Sequence, residues 1–402
     1  MKSQILLVLF SSVSSVNSFS LNFGSRQAKG ARFAHTGSPD DDPRSIIEAV
    51  TRRNAISTSL GLASFATFFS PSEAAGAADG QPRSPRPTFY EIKMVNPPQM
   101  QPFSSRGERR VVGELTKLPA VVIGGHDTAS DSELEAKLLR QLSEGAGSRG
   151  IVVASSAAVQ EEGTQAALDA YVSRANADEA AAEETLRAGS VWVAGGSCDS
   201  LLPVLRVARQ LGGVRVVAVG VADATVAQVR AKGLEAAAGL VKDRSAFVEA
   251  VKAPGFKRYS DMVIGGLFDA QSKGAGSDKE QSLANFFASQ IVVDEAIAQR
   301  SLDAAKSSQG ALLVVLTGAE RVRFGYGVQA RLARLATATS DDVDIRSLLL
   351  NPSAEESLSM TSQLRLVLGY GDELEYSKPL ANYLLFSSSP PPKILSRMLN
   401  PM

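Results

Sequence analysis

The feature that most constrains the fold is an alternation, from residue 110 onward, between short apolar runs and longer stretches with helical spacing. In the first such stretch, Leu134, Leu138 and Leu142 fall on one helical face. The short runs are continuously apolar and rich in β-branched residues, which is typical of strands buried on both faces of a parallel sheet. Glycine-rich turns join these strands to the helices, as in right-handed crossover units. The sequence therefore predicts an α/β fold, a mainly parallel sheet with helices on both faces.

The predicted elements form one large α/β domain, 109–392. Its strands are predicted at 120–123, 150–153, 191–194, 215–219, 312–316 and 382–387. Its helices are predicted at 131–143, 161–173, 178–188, 200–211, 224–238, 242–253, 279–308 and 328–336. A helical insertion is expected in part of 242–282, with a flexible loop at 273–278. The Pro-rich segment 78–108 is predicted to run as an extended arm over the surface, and 393–402 form a C-terminal tail.

Composition excludes several classes of protein. Lys+Arg and Asp+Glu are both 42, so the net charge is zero and there is none of the basic excess that nucleic-acid binding uses. A single Cys excludes an intrachain disulfide and a Cys-based zinc site. With two His in the chain, a mechanism that needs several histidines is also excluded, and the sequence marks no metal site. No G-x-G-x-x-G motif or P-loop supports nucleotide binding.

The first eighty residues are typical of targeting signals. Residues 1–19 have a basic start, a short apolar run and small residues before Phe19, which resembles a secretory signal followed by the plastid-entry signal of algae with extra plastid membranes. Residues 20–51 begin with transit-peptide composition, and 52–77 combine Arg52-Arg53 with a weak apolar stretch and an Ala-x-Ala site, as in twin-arginine export. This order predicts a plastid thylakoid-lumen protein. A single signal peptide followed by a tethered or disordered arm is the alternative.

Candidate binding residues follow the first predicted strand. In open α/β sheets, ligands bind beyond the carboxyl ends of the strands. Here that end reads Gly124-Gly125-His126-Asp127. A histidine in such a place can be a ligand or a base because its pKa lies near neutrality. The alternatives for His126 are a contact with a bound group, a metal ligand, or an ordinary loop histidine.

A polar pair is predicted on the long helix 279–308. Gln290 and Asp294 share one face with apolar residues, and a buried carboxylate needs a partner. Arg321, near the end of the strand 312–316, is the candidate partner. The pair is either a clamp that holds helix to sheet or the polar floor of a pocket.

Tyr326 lies between Gly325 and Gly327. Two glycines around an aromatic residue allow an unusual backbone and a close approach. Tyr326 could cap a pocket, ligate haem iron as tyrosine does in some haem proteins, or simply pack in the core.

Three stretches carry a family resemblance. Residues 285–298 contain an aromatic pair, then Gln, then Asp-Glu; residues 316–328 contain Gly-Ala-Glu-Arg and Phe-Gly-Tyr-Gly; residues 381–387 read Ala-Asn-Tyr-Leu-Leu-Phe-Ser. They resemble three blocks of the ChaN-like family, the haem-binding uptake proteins of the Tiki and erythromycin-esterase superfamily. The resemblance extends over about 118–387. It implies a ChaN-like fold and the binding of haem or a related tetrapyrrole.

The chain departs from this family at two positions. The family's first strand ends Gly-Glu-x-His, whereas here the acid is missing and His126 comes one position early. The family's second histidine is Arg321 here. Esterases of this superfamily use that Glu and those His as bases, so the departures argue against an enzyme and no catalytic residue is assigned. The ligand-binding residues that the sequence and the resemblance imply are Gly124, Gly125, His126, Asp127, Gln290, Asp294, Arg321 and Tyr326.

The function predicted from the sequence is therefore a soluble lumen protein that binds haem or another tetrapyrrole. One alternative is a ligand-free interaction protein of the photosynthetic membrane that kept only the fold. Another is a degenerate esterase-like hydrolase that uses His126. A thylakoid membrane complex or a second copy of the chain stays open as a partner.

Overall fold

A computed structural model describes residues 87–95, 99–173, 178–237, 239–241, 247, 256, 263–265, 267–268, 283–308, 310–337, 343–352, 369–370 and 378–387. The three predicted targeting segments, 1–19, 20–51 and 52–77, lie outside these residues, as does the tail 393–402. The predicted insertion falls mostly outside them too, and the loop 273–278 wholly so. Among the residues that the structure describes, no helix is long and apolar enough to span a membrane.

The sheet has eight strands in the order β2-β1-β10-β7-β3-β6-β4-β5. The strands are β1 (Thr88–Lys93), β2 (Gln99–Pro102), β3 (Ala120–Gly125), β4 (Ile151–Val159), β5 (Val214–Gly220), β6 (Leu312–Gly318), β7 (Ile345–Leu350) and β10 (Tyr383–Phe386). All neighbouring pairs from β10 to β5 are parallel, and β1 and β2 add antiparallel at one edge. A separate pair, β8 (Gly369–Tyr370) and β9 (Lys378–Pro379), is antiparallel. The predicted mainly parallel α/β fold is confirmed.

Helices cover both faces of this sheet. The helices are α1 (Ser105–Leu115), α2 (Ala129–Ala146), α3 (Glu162–Ser173), α4 (Glu179–Gly189), α5 (Cys198–Leu211), α6 (Asp223–Lys232), α7 (Leu283–Lys306) and α8 (Val328–Thr337). Alternate residues of β3 enter different cores: Val121 and Ile123 pack with α1 to α5, whereas Val122 packs with α6, α7 and α8. Burial on both sides explains why the strands are apolar along their whole length.

The segment predicted as a surface arm is instead partly built into the sheet. Phe89, Tyr90, Ile92 and Met100 are buried, and they lie in β1 and β2. The Pro and Gln content masked this pattern, because an edge strand tolerates residues that a central strand does not. The helix α1 that follows was also not predicted.

The predicted strand 191–194 is wrong. Trp192 forms a single antiparallel bridge to Ala158, at the end of β4 beyond an irregularity in its register. The main length of β4 already pairs with β5 and β6, so this segment finds backbone partners only at that end. Conversely, β7 was missed because Arg346 and Ser347 interrupt its apolar pattern. The predicted helix 224–238 ends early, at Lys232, and continues as a short 3₁₀ helix, Gly233–Ala237.

Candidate functional site

A cleft of about 840 Å³ opens at the carboxyl ends of β3, β4 and β6. Parallel strands end at the same edge of a sheet, so the loops that leave them converge there. The helices α2, α5, α6 and α7 supply the walls. Apolar side chains that line the cleft include Val193, Leu201, Val221, Val226, Val293 and Ile297.

His126 is held by the first turn of α2. Asp131, which is buried, accepts a hydrogen bond from the backbone N–H of His126 at 2.7 Å, and its Oδ2 lies 3.3 Å from the imidazole Nδ1. The other oxygen of Asp131 accepts from Asn351 Nδ2 at 2.6 Å. The helix begins here because the Thr128 side chain caps it by accepting from the backbone N–H of Asp131. Asp131 therefore fixes the orientation of the His126 imidazole at the carboxyl end of β3.

Carboxyl groups also crowd the cleft. Asp127, Asp131, Glu135 and Glu320 all line it. Burial, followed by the charges of Asp127 and Asp131, raises the pKa of Glu135 above its ordinary value of 4.5 to about 8. Burial and the nearby Glu320 and Asp131 also raise the pKa of Asp127, although His126 opposes the rise. Glu135 is therefore mostly protonated at neutral pH, which lets it donate a hydrogen bond in the cleft.

The predicted pairing of Arg321 with α7 is confirmed. Arg321 Nη1 donates to Asp294 Oδ1 at 2.5 Å, and Nη2 lies 3.5 Å from Gln290 Oε1. Asp294 is only 2 % exposed, and burial raises its pKa even though Arg321 opposes the rise. Gln290 and Arg321 face the cleft, whereas Asp294 lies behind them at a small adjoining cavity. The pair is thus a clamp between helix and sheet whose outer atoms also form part of the cleft wall.

Two further cations line the cleft, Arg230 from α6 and Arg323. The guanidinium of Arg230 lies 5.0 Å from the centre of the Phe286 ring, and its Nε lies 3.5 Å from Ser289 Oγ. Burial, followed by the charge of Arg321, lowers the pKa of Arg230. Two guanidinium groups therefore repel one another on one wall of the cleft.

The structure brings five of the eight predicted site residues to the cleft: Gly125, His126, Asp127, Gln290 and Arg321. The other three predicted residues lie elsewhere. Gly124 faces Val322, Asp294 is behind the wall, and Tyr326 packs with its ring centre 6.3 Å from that of Phe256. Tyr326 is part of the apolar layer around α7, and burial raises its pKa. Gly124, Asp294 and Tyr326, which the sequence analysis named as ligand-binding residues, therefore do not line the cleft.

Sequence reasoning missed Asp131, Glu135, Glu320 and Arg230. Asp131 could have been found, because an acid in the first turn of a helix that follows a strand end points back to that end. Nothing in the pattern of α6 singles out Arg230, since its importance depends on α7 crossing beside it. Within the described residues, no group of three or more His, Cys, Asp or Glu side chains is arranged to hold a metal ion.

Residues 111–332, more than half of the chain, show which protein family this chain belongs to. They match the family described as haem-binding uptake, Tiki superfamily, ChaN. The chain belongs to the ChaN family. This confirms the family that the sequence motifs indicated. No match was found among curated proteins.

Solved structures similar to this ChaN-family chain include the ChaN of Campylobacter jejuni, described with cofacial haem binding. That structure has 12 % identity and a TM-score of 0.49, with coverage of 74 % of this chain and 96 % of that one. A type III effector, HopBA1, has 13 % identity and a TM-score of 0.32, with coverage of 69 % and 91 %. A mutant of the erythromycin esterase EreC in its open conformation has 14 % identity and a TM-score of 0.32, with coverage of 60 % and 72 %.

Proposed function

We propose that this ChaN-family protein binds haem or a related tetrapyrrole in the cleft at the carboxyl ends of β3, β4 and β6. The observation that carries the proposal is the cleft itself, with a volume of about 840 Å³, apolar side walls and arginines on one wall. Its volume falls in the upper part of the range of about 300–1,000 Å³ that is usual for sites of small molecules and cofactors. A tetrapyrrole is a broad apolar disc that carries carboxylates, so both kinds of wall suit it. The family's description as haem-binding uptake proteins adds support.

His126 is the residue that we assign to the iron of a bound haem. Among the described residues that line the cleft, it alone belongs to the types that serve as axial ligands, His, Cys, Met and Tyr. Its contact with Asp131 matches the second-shell pattern in which a carboxylate fixes a histidine ring and raises its basicity. When haem is bound, its iron supplies the coordination chemistry, and the protein contributes the oriented ring and the apolar walls.

Titration with haem of the purified chain without the predicted targeting segments 1–77, the mature chain, tests the proposal. We expect a saturable Soret band with one haem per chain. His126→Ala is expected to shift this band and weaken binding about tenfold, and added imidazole is expected to restore the band position. The absence of a saturable Soret change in the wild-type protein would refute haem binding. Co-purification with a thylakoid membrane complex, without that change, would favour an interaction protein.

A hydrolase is the second candidate, and one specific observation favours it. The Nδ1 of His126 lies 3.3 Å from Asp131 Oδ2, and the neighbouring Glu135 has a pKa near 8, so a base and an acid stand in one cleft. Turnover of aryl esters that is abolished in His126→Ala, with no haem spectrum, would favour this candidate over the first.

We also propose that the protein resides in the thylakoid lumen of a plastid. The support is the order of the three signals in 1–77, with Phe19 after the first and Arg52-Arg53 in the third. A C-terminal fluorescent fusion of the full chain, expressed in an alga with extra plastid membranes, is expected to enter the plastid. Phe19→Ala should keep it outside the plastid, and Arg52→Lys with Arg53→Lys should leave it in the stroma. Secretion of the wild-type fusion would contradict the proposal.

A further inference from the structure

The two sides of the cleft differ in charge. Asp127, Asp131 and Glu135 lie together beyond β3, whereas Arg230 and Arg321 stand on the wall formed with α6 and α7. A ligand that carries carboxylates at one edge would be repelled by the first side and attracted by the second. The cleft therefore distinguishes the two ends of such a ligand.

Among the residues that the structure describes, Arg230 is the cation on this wall that has no counter-ion. It is half-buried, and no carboxylate among the described residues lies within ion-pair distance of it. Its contacts are the face of Phe286 and the weak hydrogen bond to Ser289. Asp223, the carboxylate that acts to raise the pKa of Arg230, is exposed and accepts a hydrogen bond from the backbone N–H of Ala194. A partly buried cation without a partner is costly, so its presence in a cleft calls for an anionic ligand.

Arg321 and Gln290 extend the same wall. Arg321 is held in place by Asp294 at 2.5 Å and by Glu320 at 3.4 Å, and its side chain, which lines the cleft, is 17 % exposed. Arg230 Nε lies 3.5 Å from Ser289 Oγ and Arg321 Nη2 lies 3.5 Å from Gln290 Oε1, so the two guanidinium groups contact consecutive residues of α7 and repel one another. An anion between them would relieve that repulsion, and guanidinium groups bind carboxylates with paired hydrogen bonds.

We infer that Arg230, assisted by Arg321, binds the carboxylate edge of the ligand, so that the protein selects tetrapyrroles with free carboxylates over their esters. This inference rests on the proposed tetrapyrrole-binding function. It predicts the orientation of the ligand, with its carboxylates towards α6 and α7, its opposite edge away from that wall, and one face of the ring open to His126. It also defines the ligand class, because neutral esters of the same ring system would gain nothing from this wall.

Metal-free protoporphyrin IX and its dimethyl ester provide the test, because neither has iron for His126 to bind. Both are titrated into the mature chain in the same detergent buffer, and porphyrin fluorescence is followed. We expect the wild-type protein to bind the free acid at least about tenfold more tightly than the ester, the effect of one charge-assisted hydrogen bond. Arg230→Met is expected to lose this preference by weakening the free acid alone.

Arg140→Met is the matched control. Arg140 is an exposed arginine on α2, with Gln210 as its hydrogen-bond partner, far along the helix from the cleft end. Arg140→Met should leave the affinities for the free acid and for the ester unchanged. Equal thermal midpoints for the wild type and the two variants would show that the variants fold. Equal binding of acid and ester by the wild type, or an equal loss of both in Arg230→Met, would overturn the inference while leaving the proposed function in place. Failure of the wild type to bind either porphyrin or haem would overturn both.

Discussion

Replacing Glu135 with glutamine is expected to stabilise the protein by about 4–5 kcal/mol at pH 9 and by less than about 1 kcal/mol at pH 5. The pKa of this glutamate is raised to about 8 by burial and by Asp127 and Asp131, so the native state holds its proton while the unfolded state has lost it. Between pH 4.5 and about 8, the native state therefore binds the extra proton, and stability falls as the pH rises. Above that window the loss is complete, and glutamine avoids it because it carries no charge.

Urea unfolding of the wild type and of Glu135→Gln across this pH range measures the difference. Glu133→Gln is the matched control, because Glu133 is an exposed glutamate one turn or less away on the same helix. The control should change the free energy of unfolding by less than about 0.5 kcal/mol at every pH, as most surface substitutions do. A stability difference between Glu135→Gln and the wild type that does not grow from pH 5 to pH 9 would contradict the raised pKa.

The sheet and half of the site could be predicted because their signals are local. Continuous apolar runs such as the one in β3 follow from burial on both faces, and the residues after them must lie at the strand ends. Spacing on α7 placed Gln290 and Asp294 on one face, and the cost of a buried charge required the partner that Arg321 provides. Each of these inferences needs only the neighbours in sequence and one physical rule.

The rest depends on contacts between distant segments. Arg230 becomes a cleft residue only because α7 packs against α6, and Glu135 has its raised pKa only because Asp127 and Asp131 lie next to it. The polar residue Ser347 hides a central strand at 345–350. Its burial is possible because it forms hydrogen bonds with Asn382, from a distant part of the chain. Tyr326 shows the opposite difference: an aromatic residue between glycines is compatible with a place in the cleft, but its ring packs edge-on with Phe256 in the apolar layer around α7.

The two glycines beside Tyr326 have a structural purpose instead. Gly325 and the preceding Phe324 both adopt positive φ, 65° and 57°, so the chain turns sharply between β6 and α8. Gly327 then packs directly on the backbone of Arg321, and a Cβ at this position would overlap the carbonyl oxygen of Arg321. A backbone atom cannot swing aside as a side-chain end can, so any substitution must displace the segment that carries Arg321.

Gly327→Ala is accordingly expected to lower the free energy of unfolding by more than about 3 kcal/mol, the range of overpacking combined with a broken buried ion pair. Gly325→Ala, which meets only the end of the Gln329 side chain but requires a positive φ, should lose about 1 kcal/mol. Gly113→Ala on α1 has open space and should be neutral or slightly stabilising. Thermal and urea unfolding of the three variants measure their free energies of unfolding and so test this order. If Gly327→Ala were no worse than Gly325→Ala, the close packing of Gly327 on Arg321 would not be what fixes this arginine at the cleft, and the guanidinium would owe its position to Asp294 alone.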